Sequence, residues 1–117
     1  MKQQSIAFSR RNITLEGIVT LPTSLQTRFP GVVLCHAHPL FGESMASTIM
    51  QTLCRALDDN GLATLRFNFR GVGGSDGSFD KGDGEQEDLK AAMDTLKNWP
   101  GVTGHRIGIV GVSFGAV

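Results

Sequence analysis

The apolar positions change their period several times along the chain, and each change marks an element. Ser5–Arg10 and Leu15–Leu21 alternate moderately around Arg11-Asn12, where the chain can turn, so the pattern predicts an N-terminal β-hairpin. Pro22 closes the second strand, and a polar connection ends at Pro30. Val32-Val33-Leu34-Cys35 then runs without alternation, which predicts a strand over Gly31–Cys35 buried on both faces, as in a parallel sheet. Over 45–60 the period lengthens: Ala46, Met50, Leu53 and Leu57 share one helical face. Ser44 or Ser47 is the candidate cap, and Asn60-Gly61 the left-handed stop. Ala63–Phe69 returns to a strand pattern, with Leu65, Phe67 and Phe69 set against Arg66, Asn68 and Arg70. Beyond the glycine-rich turn Gly71–Gly77, Asp83 with Gln86 suggests a capping box for a second helix. Glu85, Glu87 and Asp88 suit its positive end, and Leu89, Ala92, Met93 and Leu96 form its buried face. Asn98-Trp99-Pro100-Gly101 ends that helix, and Ile107–Val112 is a third strand of the buried type.

The order β-β-β-α-β-α-β implies an α/β fold. Right-handed crossovers would give a mostly parallel sheet with helices on both faces, preceded by the hairpin. The length of 117 residues allows one domain. Eleven Lys and Arg balance eleven Asp and Glu, so a basic nucleic-acid footprint is not expected. At 40% apolar and 19% charged residues, the composition is that of a globular chain. The 15 glycines cluster in turns, which points to tight backbone geometry. Cys35 and Cys54 form no Cys-x-x-Cys pair and sit in apolar patterns, as small hydrophobes do. No apolar leader follows Met1-Lys2-Gln3-Gln4-Ser5, and no stretch approaches a membrane span. The expectation is a cytoplasmic protein without a membrane or nucleic-acid partner; the sequence does not indicate an oligomeric state.

Three motifs carry candidate chemistry. Gly111-Val112-Ser113-Phe114-Gly115 is a Gly-x-Ser-x-Gly that follows directly on a predicted buried strand. In such an elbow the serine is pushed out at the carboxyl end of a sheet, and the flanking glycines let neighbouring backbone pass. His36-Ala37-His38-Pro39-Leu40-Phe41-Gly42 follows the strand Gly31–Cys35. That is the position from which one N–H of an oxyanion hole normally comes, the other coming from the residue after the serine, here Phe114. His36 and His38 lack further ligands at metal spacing, so neither a metal nor another cofactor is expected. The third motif runs from Arg66 to Gly77. Its Gly71 and Gly73 invite a dinucleotide reading, but Asp76 stands where the third glycine belongs and the helix starts too late to face a pyrophosphate. A structural loop at the rim of the site is the better reading.

Together the three motifs resemble the N-terminal half of the α/β-hydrolase superfamily. The likeness is to its compact bacterial serine hydrolases, related to the dienelactone-hydrolase and prolyl-oligopeptidase-like branches. The resemblance implies Ser113 as nucleophile and the backbone N–H groups of Phe114 and His38 as the oxyanion hole. It implies an esterase or related acyl hydrolase that acts on a small-molecule ester or acyl substrate.

One departure is large. Triad order in this fold is Ser, then Asp or Glu, then His, yet only Phe114-Gly115-Ala116-Val117 follow Ser113. His36 and His38 belong to the oxyanion loop, and His105 is expected at the far, amino end of the last strand, roughly 20 Å from the serine. Residues 1–117 are therefore expected to be a single incomplete α/β-hydrolase domain, cut just after the nucleophile elbow and inactive alone. The alternative is a non-catalytic, hydrolase-like binding or scaffold protein that kept the fold.

Overall fold

The computed structural model describes residues 1–36, 44–78, 80 and 83–112. Strands β1 (Lys2–Arg10) and β2 (Ile13–Leu21) form an antiparallel hairpin, registered from Lys2 opposite Leu21 to Arg10 opposite Ile13. Arg11 and Asn12 both have positive φ, 50° and 67°, the geometry of a two-residue type I′ turn. β3 (Phe29–Cys35), β4 (Ala63–Phe67) and β5 (Val102–Gly111) complete a mixed five-stranded sheet in the order β1-β2-β4-β3-β5. β2 pairs antiparallel with β4, whereas β4-β3-β5 is the parallel part.

Helices α1 (Thr48–Asp59) and α2 (Asp83–Lys97) cover opposite faces of this sheet. β3 explains how. Its Val33 and Cys35 join Leu65, Phe67, Ala92 and Leu96 under α2. Its Val32 and Leu34 join Met50 and Cys54 under α1. Successive side chains point to opposite faces, so a strand covered on both sides must be apolar throughout.

The ends of α1 follow the sequence signals closely. Ser47 is the cap, and its hydroxyl accepts from the Met50 N–H; Ala46 stands before the cap and outside the helix. At the other end Gly61 has φ 78°, its N–H donates to the Asp58 carbonyl, and Leu62 N–H donates to that of Leu57. These two bonds make a Schellman stop. Asp83 is the first residue of α2 and not its cap; the Glu85 carboxylate reaches back to the Asp80 N–H at 2.9 Å. β5 starts at Val102, earlier than its apolar run suggests, and takes in His105. The register shifts between Phe29 and Gly31 opposite it before regular pairing resumes at Ile107. No helix among the described residues is long and apolar enough to cross a membrane.

Candidate active site

The carboxyl ends of β3 and β5 lie side by side. Cys35 is the register partner of Gly111, and the Val112 N–H donates to the Cys35 carbonyl at 2.9 Å. The chain therefore leaves the sheet after Cys35 and after Gly111 from adjacent positions. Ser113, Phe114 and His38 themselves lie outside the described residues. His105 is near the amino end of β5, exposed and six positions before Gly111, or about 20 Å along a strand.

His36, the first residue of its loop, is buried, and its role is legible in its contacts. Nε2 accepts the Phe69 N–H at 3.1 Å, and the ring meets Phe69 edge to face at 5.1 Å. Accepting that bond requires an unprotonated Nε2. The side chain thus ties the start of the loop to the end of β4.

The segment after β4 explains its own alternation. Phe67 and Phe69 pack against each other, 4.7 Å between ring centres, on the α2 side. Arg66 and Asn68 project to the α1 side, where both are buried. Arg66 donates from its guanidinium to the Met45 carbonyl at 2.9 Å, and Asn68 Oδ1 accepts the Met45 N–H at 2.8 Å. Asn68 Nδ2 donates to Glu16 Oε2 at 2.9 Å, and the same oxygen accepts the Gly74 N–H.

Arg70 turns to α2. Its Nε and one terminal nitrogen hold Asp88, the shortest contact being 2.8 Å, and its N–H also donates to that carboxylate at 2.9 Å. The hydrogen bonds that Arg70 donates to Asp88, followed by the attraction of Asp88, Glu85 and Asp80, hold the guanidinium above its ordinary pKa, against the opposing effect of burial. Gly84 in the first turn of α2 makes room: a Cβ there would overlap the guanidinium.

The glycine-rich loop is spent on structure. Gly71, Gly73 and Gly77 take positive φ, a conformation other residues resist. The Gly71 N–H bonds within the loop to Asp76, while Asp76 N–H and the Asp76 carboxylate bond Thr14 of β2. Ser75 Oγ bridges the Glu16 N–H and the Asn68 carbonyl. These amides face the protein's own backbone, which supports the structural reading of the motif over a phosphate cradle.

A mixed sheet with helices on both faces, and a Gly-x-Ser-x-Gly in the sequence directly after its parallel strand β5, is the arrangement of an α/β-hydrolase. Residues 13–117 match the family described as X-Pro dipeptidyl-peptidase (S15 family), and the chain belongs to that family. It is similar to a solved α/β serine hydrolase homologue from Coxiella burnetii, with 38% identity and TM-score 0.83 over 99% of this chain and 54% of that one. A serine hydrolase without lid from Xanthomonas campestris is 32% identical, with TM-score 0.81 over 97% of this chain and 51% of that one. The uncharacterized protein RP471 of Rickettsia prowazekii is 44% identical over 88 residues, which is 74% of this chain and 36% of that protein. The chain thus spans about half, or less, of the length of these relatives.

Sequence reasoning singled out the Gly-x-Ser-x-Gly and the segment His36–Gly42 but not the buried polar contacts near the carboxyl end of β4. Glu16, Asn68, Arg66 and Asp88 each act through partners far away in sequence. The available signal was polar residues at alternate positions of a strand otherwise rich in phenylalanine.

Proposed function

We propose that this chain is the nucleophile-bearing half of a serine hydrolase that cleaves carboxylic esters or related acyl bonds of small molecules. The observation that carries this reading is the junction of β3 and β5, where Val112 is bonded to Cys35 and Ser113 is the next residue. Ser113 Oγ attacks the acyl carbon and its proton passes to a histidine base supplied from outside residues 1–117. The carbonyl oxygen, now negative, accepts the N–H groups of Phe114 and His38. Collapse expels the alcohol, which takes the proton back from the histidine. Water then attacks the acyl-serine by the same route and releases the acid. No step calls for a metal or organic cofactor, and the oxyanion donors are backbone groups that tolerate many acyl chains. The location is proposed to be the cytoplasm.

A second reading follows from the family match: the acyl bond cut is an amide that follows proline. Both are tested on the full open reading frame containing these codons, beside the 117-residue chain. p-Nitrophenyl butyrate and an X-Pro p-nitroanilide are the substrates, with Ser113→Ala as control. The expected result is serine-dependent ester turnover by the full protein and none above the control by the 117-residue chain, whose residual catalysis without a base is at most on the order of 10³ to 10⁴ over water. Turnover of the anilide in preference to the ester selects the peptidase reading. Ser113→Ala that retains full turnover of both substrates rejects Ser113, and a full protein inactive on both favours the scaffold alternative.

A further inference from the structure

The loop proposed to carry an oxyanion donor is fastened at both ends to the strand beside it. At its start, His36 accepts the Phe69 N–H. At its end the attachment falls on a single residue, Met45, whose N–H is taken by Asn68 and whose carbonyl is taken by Arg66. Residues two apart on an extended chain share a face, so Arg66 and Asn68 reach Met45 from the same side. Together they fix both polar groups of one backbone unit, and hence its position and orientation.

Each partner is itself held in place for this contact. The Asn68 amide has one correct orientation, because Nδ2 faces the Glu16 carboxylate and Oδ1 must then face the Met45 N–H. Arg66 is 6% exposed, and among the described residues its guanidinium makes one hydrogen bond, to Met45, while its buried Nε has no partner there. Burying a guanidinium with so few bonds is costly. That bond is to the segment that follows residues 37–43.

We propose that Arg66 and Asn68, with Glu16 orienting Asn68, are positioning residues that set the oxyanion donor of the loop after β3 against the Ser113 elbow. This rests on the reading of Ser113 as nucleophile and of that loop as its oxyanion loop. A donor helps only if it is aimed at the charge that develops in the transition state, and misplacement by about 1 Å can cost about 100-fold. Loss of the clamp therefore appears in kcat and leaves ground-state binding largely alone.

The test uses the full-length enzyme with p-nitrophenyl butyrate and a fluorophosphonate probe. Asn68→Ala and Arg66→Ala are expected to lower kcat about 10- to 100-fold with KM within about twofold, and to slow phosphonylation by the same factor. Asn68→Asp keeps the acceptor for Met45 but sets a carboxylate against Glu16. It is expected to lose about 10-fold in kcat and to recover most of it in Glu16→Gln/Asn68→Asp, where the amide donates to the new carboxylate. If the alanine variants do not fold, this charge-matched pair decides. Folded alanine variants with unchanged kcat, or a folded pair in which Glu16→Gln brings no recovery, overturn the clamp. Ser113→Ala separates the two failures: if it leaves turnover and labelling intact, the nucleophile reading falls. If it abolishes both while the clamp variants behave as wild type, only the clamp falls.

Discussion

The two faces of the sheet are built on different principles. The α2 face is a large apolar layer that runs from Phe8 and Leu15 of the hairpin through Phe67 to Leu96, with buried Asp88 at one end paired to the half-buried Arg70. The α1 face has a smaller apolar cluster of Val32, Leu34, Met50 and Cys54, and beside it buried polar side chains. Thr20 and Thr64, opposite each other across β2 and β4, both lie about 3.4 Å from the Cys54 sulfur; Arg66 and Asn68 continue the same face toward Met45. Apolar contact is non-directional and supplies stability; hydrogen bonds to backbone supply position. The face that carries the loop connection is the one built from directional contacts.

The largest way to break this contrast is at Asp88, the polar exception on the apolar face. Asp88 is 2% exposed, and its removal leaves Arg70 without its partner. Asp88→Ala is expected to cost about 1.5 to 3 kcal/mol, because Asp88's hydrogen bonds to a charged group and to the Arg70 N–H are lost while half-buried Arg70 can still be partly solvated. Urea unfolding of the full-length protein measures it. A loss below 1 kcal/mol would mean that Arg70 swings out to water at little cost and that the pair does not stabilise the face.

On the other face the corresponding change is mild. Thr64→Val keeps the shape and removes one hydroxyl from a cluster in which Cys54 still has Thr20. The expected loss is about 1 kcal/mol or less, since sulfur is a weak partner and the methyl replaces the hydroxyl in volume. The same denaturation experiment reads it. A loss as large as that of Asp88→Ala would show that the polar cluster stabilises the fold, and the division between the faces would fail.

The faces were also unequally legible in the sequence. The run Val32-Val33-Leu34-Cys35 announces a doubly covered strand because lack of alternation has one simple cause. Ser47 and Asn60-Gly61 announce the ends of α1 because capping is local, a matter of three or four residues. Asp88 reads as a helix-dipole residue from its place near the start of α2, and only the fold brings it to Arg70. The bulged opening of β5 was hidden because Gly104, His105 and Arg106 break the apolar pattern, and only the pairing of β3 with Val102 before them and Ile107 after them makes the stretch one strand. For the candidate site, the Gly-x-Ser-x-Gly is visible as a motif in the sequence. The Met45 clamp was not, since its parts at 16, 45, 66 and 68 share no local pattern.

Cys35 offers the finest probe, because it lies on the apolar face yet at the carboxyl end of β3, next to the loop. Burial pushes its thiol from the ordinary 9.0 up to about 12. Between those values the unfolded chain releases a proton that the folded chain retains. The unfolded state then binds fewer protons, so stability is full below pH 9 and falls as pH rises toward 12. By pH 9.5 the accumulated loss from this one group is expected to be below about 1 kcal/mol, with a limiting slope of about 1.4 kcal/mol per pH unit above that. Other groups titrate in the same range, so the quantity to measure is the difference in slope between wild type and Cys35→Ala in urea unfolding from pH 7 to 10. A steeper decline in wild type places the thiol in the dry, apolar layer under α2. Parallel declines would mean that water reaches Cys35, and that the apolar layer under α2 stops short of the carboxyl end of β3.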